Sequence, residues 1–433
     1  MTPRQSPVEG IRTTHAPTEI EWRLLHLTTR LLLEYSARSE SIKRLIGRLA
    51  RHFDVDVSVS VAYREATLFA ADEHCICVQV PELRLNAAVN LATLQVIDDL
   101  CADRITVEGA IDRLEGAEGL APEYRRWLLI LVFALGASAL AWILRADWGA
   151  IAVSGVSSGL GLLARKALGK RHAIFFALPF TAALIGALLG GVGIRMGWTQ
   201  TPGICLIVPA LMLVPGPHLI LSVQEMLENH MQSAVVRLGL AVTILIAAAL
   251  GVLVGVRATL GTMGLTAAPS GAVQLTLPLD VVLAGLVAAA FGAFYNTPRR
   301  ILWVLILCGM IGHGVRYLGM EQGMSQVLAT LLGCLVIGSI AMIAANAFRL
   351  PFATVAFAAA VAMMPGVYIY ECFAAALSIS AAGRGADPAL VAVSVALFVK
   401  SIFIIGAMTI GLLLGAWVGG WAKLVPVGSR TVA

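Results

Sequence analysis

Leu211–Leu227 reads LMLVPGPHLILSVQEML, and Val361–Leu377 reads VAMMPGVYIYECFAAAL. Each places Pro-Gly inside an otherwise apolar run. Proline deletes a backbone donor and its ring clashes with the preceding turn, while glycine relaxes the chain beside it. A backbone interrupted inside lipid is tolerated only where protein or water satisfies the freed groups. The meaning of both stretches therefore depends on what solvates the rest of the chain.

Composition answers that question. Of 433 residues, 58% are hydrophobic and 13% charged, with a mean hydropathy of +0.85. An ordinary soluble chain carries roughly 25% charged residues. No water-soluble fold of this size hides so much apolar surface, so lipid is the expected solvent. The first 126 residues hold 19 of the 26 acidic and 15 of the 31 basic residues, net −4; the remaining 307 hold 7 and 16, net +9. A boundary near Trp127 thus separates a soluble portion from a membrane portion. The overall charge of +5 comes largely from loops between apolar segments and gives no argument for nucleic acid.

Residues 1–19 are polar and proline-containing, lack the apolar core of a signal peptide and read as a disordered lead-in. Residues 20–126 read as a small α/β cytoplasmic domain. IEWRLLHLTTRLLLEYS and SIKRLIGRLARHF carry apolar residues at helical spacing, with Ile42, Leu45, Ile46 and Leu49 on one stripe. DVDVSVSVAY then alternates strictly, as a half-buried strand does, and TLFAA and CICVQV follow as further strands. LNAAVNLATLQVIDDLCA returns to a helix, and ITVEGAIDRLEGAEG forms a last one with Thr106 placed to cap it. His26, His52 and His74 form no nucleophile–base or metal-ligand spacing, and no phosphate-binding loop is present. Cys75-Ile76-Cys77 is too thin for a metal site, and the chain holds no CxxC pair. No cofactor and no metal are expected.

Beyond Trp127, about ten runs approach the ~20 residues that the hydrocarbon layer requires. They lie near 127–144, 148–164, 173–194, 204–222, 235–256, 277–295, 301–318, 325–347, 352–380 and 389–418, with residues 419–433 as a tail. With both termini cytoplasmic, Arg125, Arg126, Arg165, Lys166, Lys170, Arg171, Arg237, Arg299, Arg300, Arg349, Lys423 and Arg430 fall inside. Only Arg145, Arg195, Arg257, Arg316 and Arg384 fall outside. That asymmetry follows the positive-inside rule.

The two Pro-Gly pairs then acquire a common rank. Pro215-Gly216 follows Pro202 by thirteen residues, and Pro365-Gly366 follows Pro351 by fourteen, each in the fourth span of a set of five. Five is odd, so the second set (277–418) enters the membrane upside down relative to the first (127–256). The expected fold is a polytopic α-helical membrane protein of two inverted five-helix repeats, the geometry of many secondary transporters. Letter identity between the copies is low, at four of nineteen positions when 209–227 is laid on 359–377. Two broken helices related by a pseudo-two-fold axis would bring free carbonyls and amides together to hold the ammonium and carboxylate of a small zwitterion. The plainer reading of either break is a proline kink that serves helix packing.

Polar residues beside the breaks complete the expected substrate-binding or proton-coupling set: Pro215, Gly216, His218, Pro365, Gly366, Tyr368, Tyr370, Glu371 and Lys400. A charge at membrane depth needs a partner, water or a function. Glu371 and Lys400 either pair with each other, or Glu371 carries the proton that drives transport, or both sit at span ends. Asp280 and His313 read as lying near the ends of the sixth and seventh spans, and Glu225 and Glu228 at the cytoplasmic mouth.

The order of pieces resembles the threonine/serine exporter family of bacterial inner-membrane proteins. The resemblance rests on RLLLEYSARSESIKRLIGRLA, DVDVSVSV, LNAAVNLATLQVIDDL, PALMLVPG and MMPGVYIYE, and extends over nearly the whole chain from about Ile20. It implies export of L-threonine and L-serine driven by the proton gradient, a cytoplasmic N-terminal domain and ten spans in the inner membrane. It supplies no binding residues. Two other classes stay open at this point: a membrane-embedded enzyme, which would need paired acids or a His–Glu cluster facing one cavity, and a sensor whose soluble domain reads a ligand.

Overall fold

The structure, a computed structural model, describes residues 15–70, 74–169, 176–261, 275–348 and 352–421. Most of the expected lead-in and tail, together with Lys170, Arg171, Arg349, Pro351, Lys423 and Arg430, lies outside the described residues. The chain divides into two compact units, Met1–Leu85 with Val89–Leu120, and Asn86–Ala88 with Ala121–Ala433.

In the first unit, helices α1 (Glu19–Glu34) and α2 (Ser39–Phe53) precede strands β1 (Val57–Ala62), β2 (Glu65–Ala70) and β3 (Cys75–Gln79). Helices α3 (Ala87–Leu100) and α4 (Val107–Glu118) follow. Thr18 and Glu21 form a reciprocal capping box at the start of α1, satisfying donors that an uncapped terminus would leave bare. Thr106 caps α4 by accepting from Gly109 N at 3.2 Å. The strands form one antiparallel sheet in the order β1-β2-β3, with Val57 opposite Ala70 and Thr67 opposite Cys77. Leu25, Leu31, Ile46, Leu49, Leu68, Val78, Ile97 and Leu114 fill the core. Burying each such side chain contributes about 1.5–3 kcal/mol.

The second unit is helical throughout its described residues. Its first part comprises α5 (Arg126–Ile143), α6 (Trp148–Gly169), α7 (Ala177–Arg195), α8 (Pro202–Leu211), α9 (Gly216–Leu227) and α10 (Met231–Leu260). Its second part comprises α11 (Leu277–Phe294), α12 (Arg299–Glu321), α13 (Gln326–Phe348), α14 (Phe352–Ala360), α15 (Gly366–Ala382) and α16 (Pro388–Trp421). A 3₁₀ turn at Val361–Met363 separates α14 from α15.

Packing recurs at matching ranks. Helix α6 touches α5, α7 and α8, and α12 touches α11, α13 and α14; α10 lies on α7 and α9, and α16 lies on α13 and α15. The α5–α11 contact joins the two parts. Glycine lets backbones approach where lipid supplies no hydrophobic drive. A Cβ on Gly251 would meet Phe180 O at 2.3 Å between α10 and α7. In the second part, one on Gly415 would meet Leu335 O at 2.1 Å between α16 and α13.

Eight helices among the described residues are long and apolar enough to cross a membrane, and the pair α8–α9, bent by 62°, makes nine if counted as one span. This is a multi-pass helical membrane protein. Helix α6, expected as the second span, is not among the eight; its interior is rich in glycine and serine and its end carries Arg165 and Lys166.

Two arginines assigned to loops by sequence prove to be helical and buried. Arg237 lies in α10 and Arg316 in α12, each under one-tenth exposed. Each lies within the helix rather than in a loop and meets a partner there, Glu225 for Arg237 and His313 for Arg316. Glu225, expected at an open mouth, is fully buried on α9.

Candidate functional site

The first break begins where α8 stops. Pro215 has no N–H, and the chain closes short turns instead: Leu213 N donates to Ala210 O at 2.9 Å and Gly216 N to Val214 O at 2.7 Å. The second break repeats the device, with Met364 N donating to Val361 O at 3.0 Å. Pro215 and Pro365 are the N-caps of α9 and α15, so Gly216 and Gly366 open the two following helices.

The breaks touch each other. A Cβ on Gly216 would meet Met364 Sδ at 2.6 Å, and one on Gly366 would meet Leu211 Cδ2 at 2.7 Å and Val214 Cγ2 at 3.5 Å. Each glycine thus receives the apolar residues that precede the other break. Tyr370, buried on α15, donates its hydroxyl to Ala210 O at 3.0 Å. In an uninterrupted helix that carbonyl would bond the amide of Val214. The second break therefore adds a second donor to a carbonyl that, at the first break, holds the short-turn bond from Leu213 N.

The other expected residues lie on the same helices. Tyr368 Oη donates to Gln326 Oε1 at 2.7 Å, and the Lys400 ammonium sits 4.2 Å above the Tyr368 ring. Lys400 forms no ion pair within 4 Å of Glu371 among the described residues, although Lys400 is the charged group acting on it; the aromatic face holds the cation instead. Glu371 is half-buried on α15. His218, buried in the first turn of α9, has no hydrogen-bond partner for Nδ1 among the described residues.

Sequence reasoning missed two buried charge clusters. On α9 and α10, Arg237 Nε lies 4.0 Å from Glu225 Oε1. Glu225, Glu228 and His230 also bring ligand-type atoms within 4.8 Å of one another, a grouping that no spacing motif announced. On α11 and α12, His313 Nδ1 bonds Asp280 Oδ2 at 2.6 Å and Arg316 Nη1 bonds His313 Nε2 at 3.2 Å. The legible signal was His313 and Arg316 three residues apart on one helix face.

A family model described as threonine/serine exporter matches residues 23–259, and a second of the same description matches residues 280–418. The chain belongs to the threonine/serine exporter family. Each match takes in one Pro-Gly break, and the first also takes in most of the N-terminal unit. No solved structure matches the chain.

Proposed function

We propose that this family member is a secondary transporter that exports small neutral amino acids, L-threonine and L-serine first among them, from the cytoplasm of a bacterium against inward proton flow. The observation that carries the reading is the mutual packing of the two Pro-Gly breaks, Gly216 on Met364 and Gly366 on Leu211. Interrupted helices that meet inside a membrane protein are the usual way such folds present backbone dipoles to a substrate.

The domain reading that goes with it has a cytoplasmic α/β domain at 20–126 and two inverted five-helix repeats at 127–256 and 277–418, ten spans in the inner membrane with both termini inside. The matching contacts of α5–α10 and α11–α16 support the repeat. Counting α6, α8–α9 and α14–α15 as one span each makes five per repeat. In this reading Pro215, Gly216, Pro365 and Gly366 shape the site, and His218, Tyr368, Tyr370 and Lys400 line it. Glu371 carries the proton, its carboxylate having no bonded partner within the described residues.

The test is efflux from inside-loaded vesicles with a panel of amino acids, with and without a proton gradient. Saturable, gradient-dependent efflux of threonine and serine is expected. Efflux indifferent to the protein for every amino acid in the panel would refute the proposal.

A further inference from the structure

We infer that Arg316 is the receptor for the substrate's carboxylate, held in position by His313 and Asp280; this rests on the exporter reading above and names the group that the site recognises. All three side chains are buried, with Asp280 and His313 2% exposed and Arg316 8%. They come from two helices, α11 and α12, that pack along each other.

The hydrogen-bond chemistry fixes their roles. A guanidinium donates and never accepts, so in the Arg316–His313 contact Nη1 donates and Nε2 accepts. With Nε2 accepting, Nδ1 carries the imidazole proton and donates to Asp280 Oδ2. The chain Asp280–His313–Arg316 is thereby polarised in one sense, with a neutral imidazole between an anion and a cation. It anchors one nitrogen of the guanidinium and leaves the opposite edge uncommitted.

That edge is the informative part. Arg316 Nε is buried and has no hydrogen-bond partner among the described residues. Leaving a charged donor buried and unmet is costly, and Nε with Nη2 forms the side-on fork that a carboxylate fills with two parallel bonds.

The position agrees with the chemistry. A Cβ on Gly333 would meet Gly312 O at 2.7 Å, Met363 Cε at 3.1 Å and Arg316 Cβ at 3.3 Å. Arg316 and the residues entering the second break therefore flank the same glycine. Tyr368 of α15, Asp280 of α11 and Cys334 of α13 lie near the guanidinium. Asp280 and Arg316 cancel in charge, so a zwitterion adds none: its carboxylate goes to the fork, and its ammonium to carbonyls of the break. An anion without an ammonium would add an unbalanced buried charge and bind less well.

Purified full-length protein is titrated with L-threonine, L-lactate and threoninol, in which CH2OH replaces the carboxylate, and the thermal midpoint is read beside vesicle efflux. In the wild-type protein L-threonine stabilises best, L-lactate less, and threoninol needs about 30-fold higher concentration for an equal shift. Arg316→Gln erases the threonine–threoninol difference, and Arg316→Lys restores part of it. His313→Gln, which frees the guanidinium from its anchor, raises KM for efflux more than it lowers kcat. Threoninol stabilising the wild-type protein as well as threonine overturns the inference without any variant, and so does an Arg316→Gln protein that keeps the preference. Carboxylate-selective stabilisation in a protein that exports no amino acid would uphold Arg316 and refute the exporter reading alone.

Discussion

The hydroxyl of Tyr370 bonds the carbonyl of Ala210 across 160 residues of sequence, at 3.0 Å. It ties the helix that leaves the second break to the helix that enters the first. The two interruptions pack on each other and share this bond, so they form one structural object.

Tyr370→Phe keeps the ring and removes the bond. Losing this bond while the Ala210 carbonyl keeps its short-turn partner costs about 0.5–1.5 kcal/mol. A lower thermal midpoint in detergent and slower efflux are expected. Wild-type behaviour in both would show that the bond contributes nothing to joining the breaks.

Gly415 lies where α16 crosses α13, with Leu335 O 2.1 Å from where a Cβ would sit. Backbone cannot give way as a flexible side chain can. Gly415→Leu should therefore separate the two helices and lower the yield of folded protein sharply. Gly420→Leu on the same helix, with open space around it, should be tolerated. Size-exclusion profiles of the two variants give the comparison, and equal profiles would argue against the close crossing.

Asp147 precedes α6 and holds the segment before α8. Its carboxylate accepts from Ala150 N at 2.7 Å, Thr199 Oγ1 at 3.1 Å and Thr201 N at 3.0 Å, and also from Gln200 N. Burial pushes its carboxyl upward, and these donors outweigh burial and hold it below the ordinary carboxylate range. A lowered folded value means the stabilisation is complete above the unfolded value of about 3.9 and is lost as pH falls through the lowered one. Asp147→Ala should melt roughly 2–4 °C lower at neutral pH. The gap should close as the pH is taken below the carboxylate range, whereas a gap that widens there would reverse the assigned sign.

If Glu371 carries the driving proton, Glu371→Gln fixes the side chain in a neutral form. Gradient-driven efflux should fall to background while the thermal midpoint stays near wild type. Undiminished flux would move the proton elsewhere, with His218 the next buried titratable group at the breaks.

The sequence showed the elements better than it showed where their charges went. Alternation in DVDVSVSVAY and helical spacing in SIKRLIGRLARHF are local signals, and β1 and α2 appear where those signals lie. Pro-Gly is equally local, so both breaks were legible. Arg237 and Arg316 were not, because a basic residue at the end of an apolar run reads as a loop until its partner is known. Glu225 reaches Arg237 from another helix, which single-residue patterns do not encode, and the local His313–Arg316 spacing gains meaning only once Asp280 of α11 is packed beside it. The meeting of the breaks is likewise a tertiary fact: Met364 on Gly216 and Leu211 on Gly366 have no counterpart in local spacing.

The central claim, that the two breaks form one shared site, is tested most directly by cross-linking them. With the native cysteines replaced, Val214→Cys and Gly366→Cys place two thiols where Val214 Cγ2 now lies 3.5 Å from the Gly366 Cβ position, within reach of a disulfide. Mild oxidation in membranes should join the pair and stop efflux, and reduction should restore it. Failure of the pair to cross-link, or undiminished efflux with the bridge formed, would contradict the account.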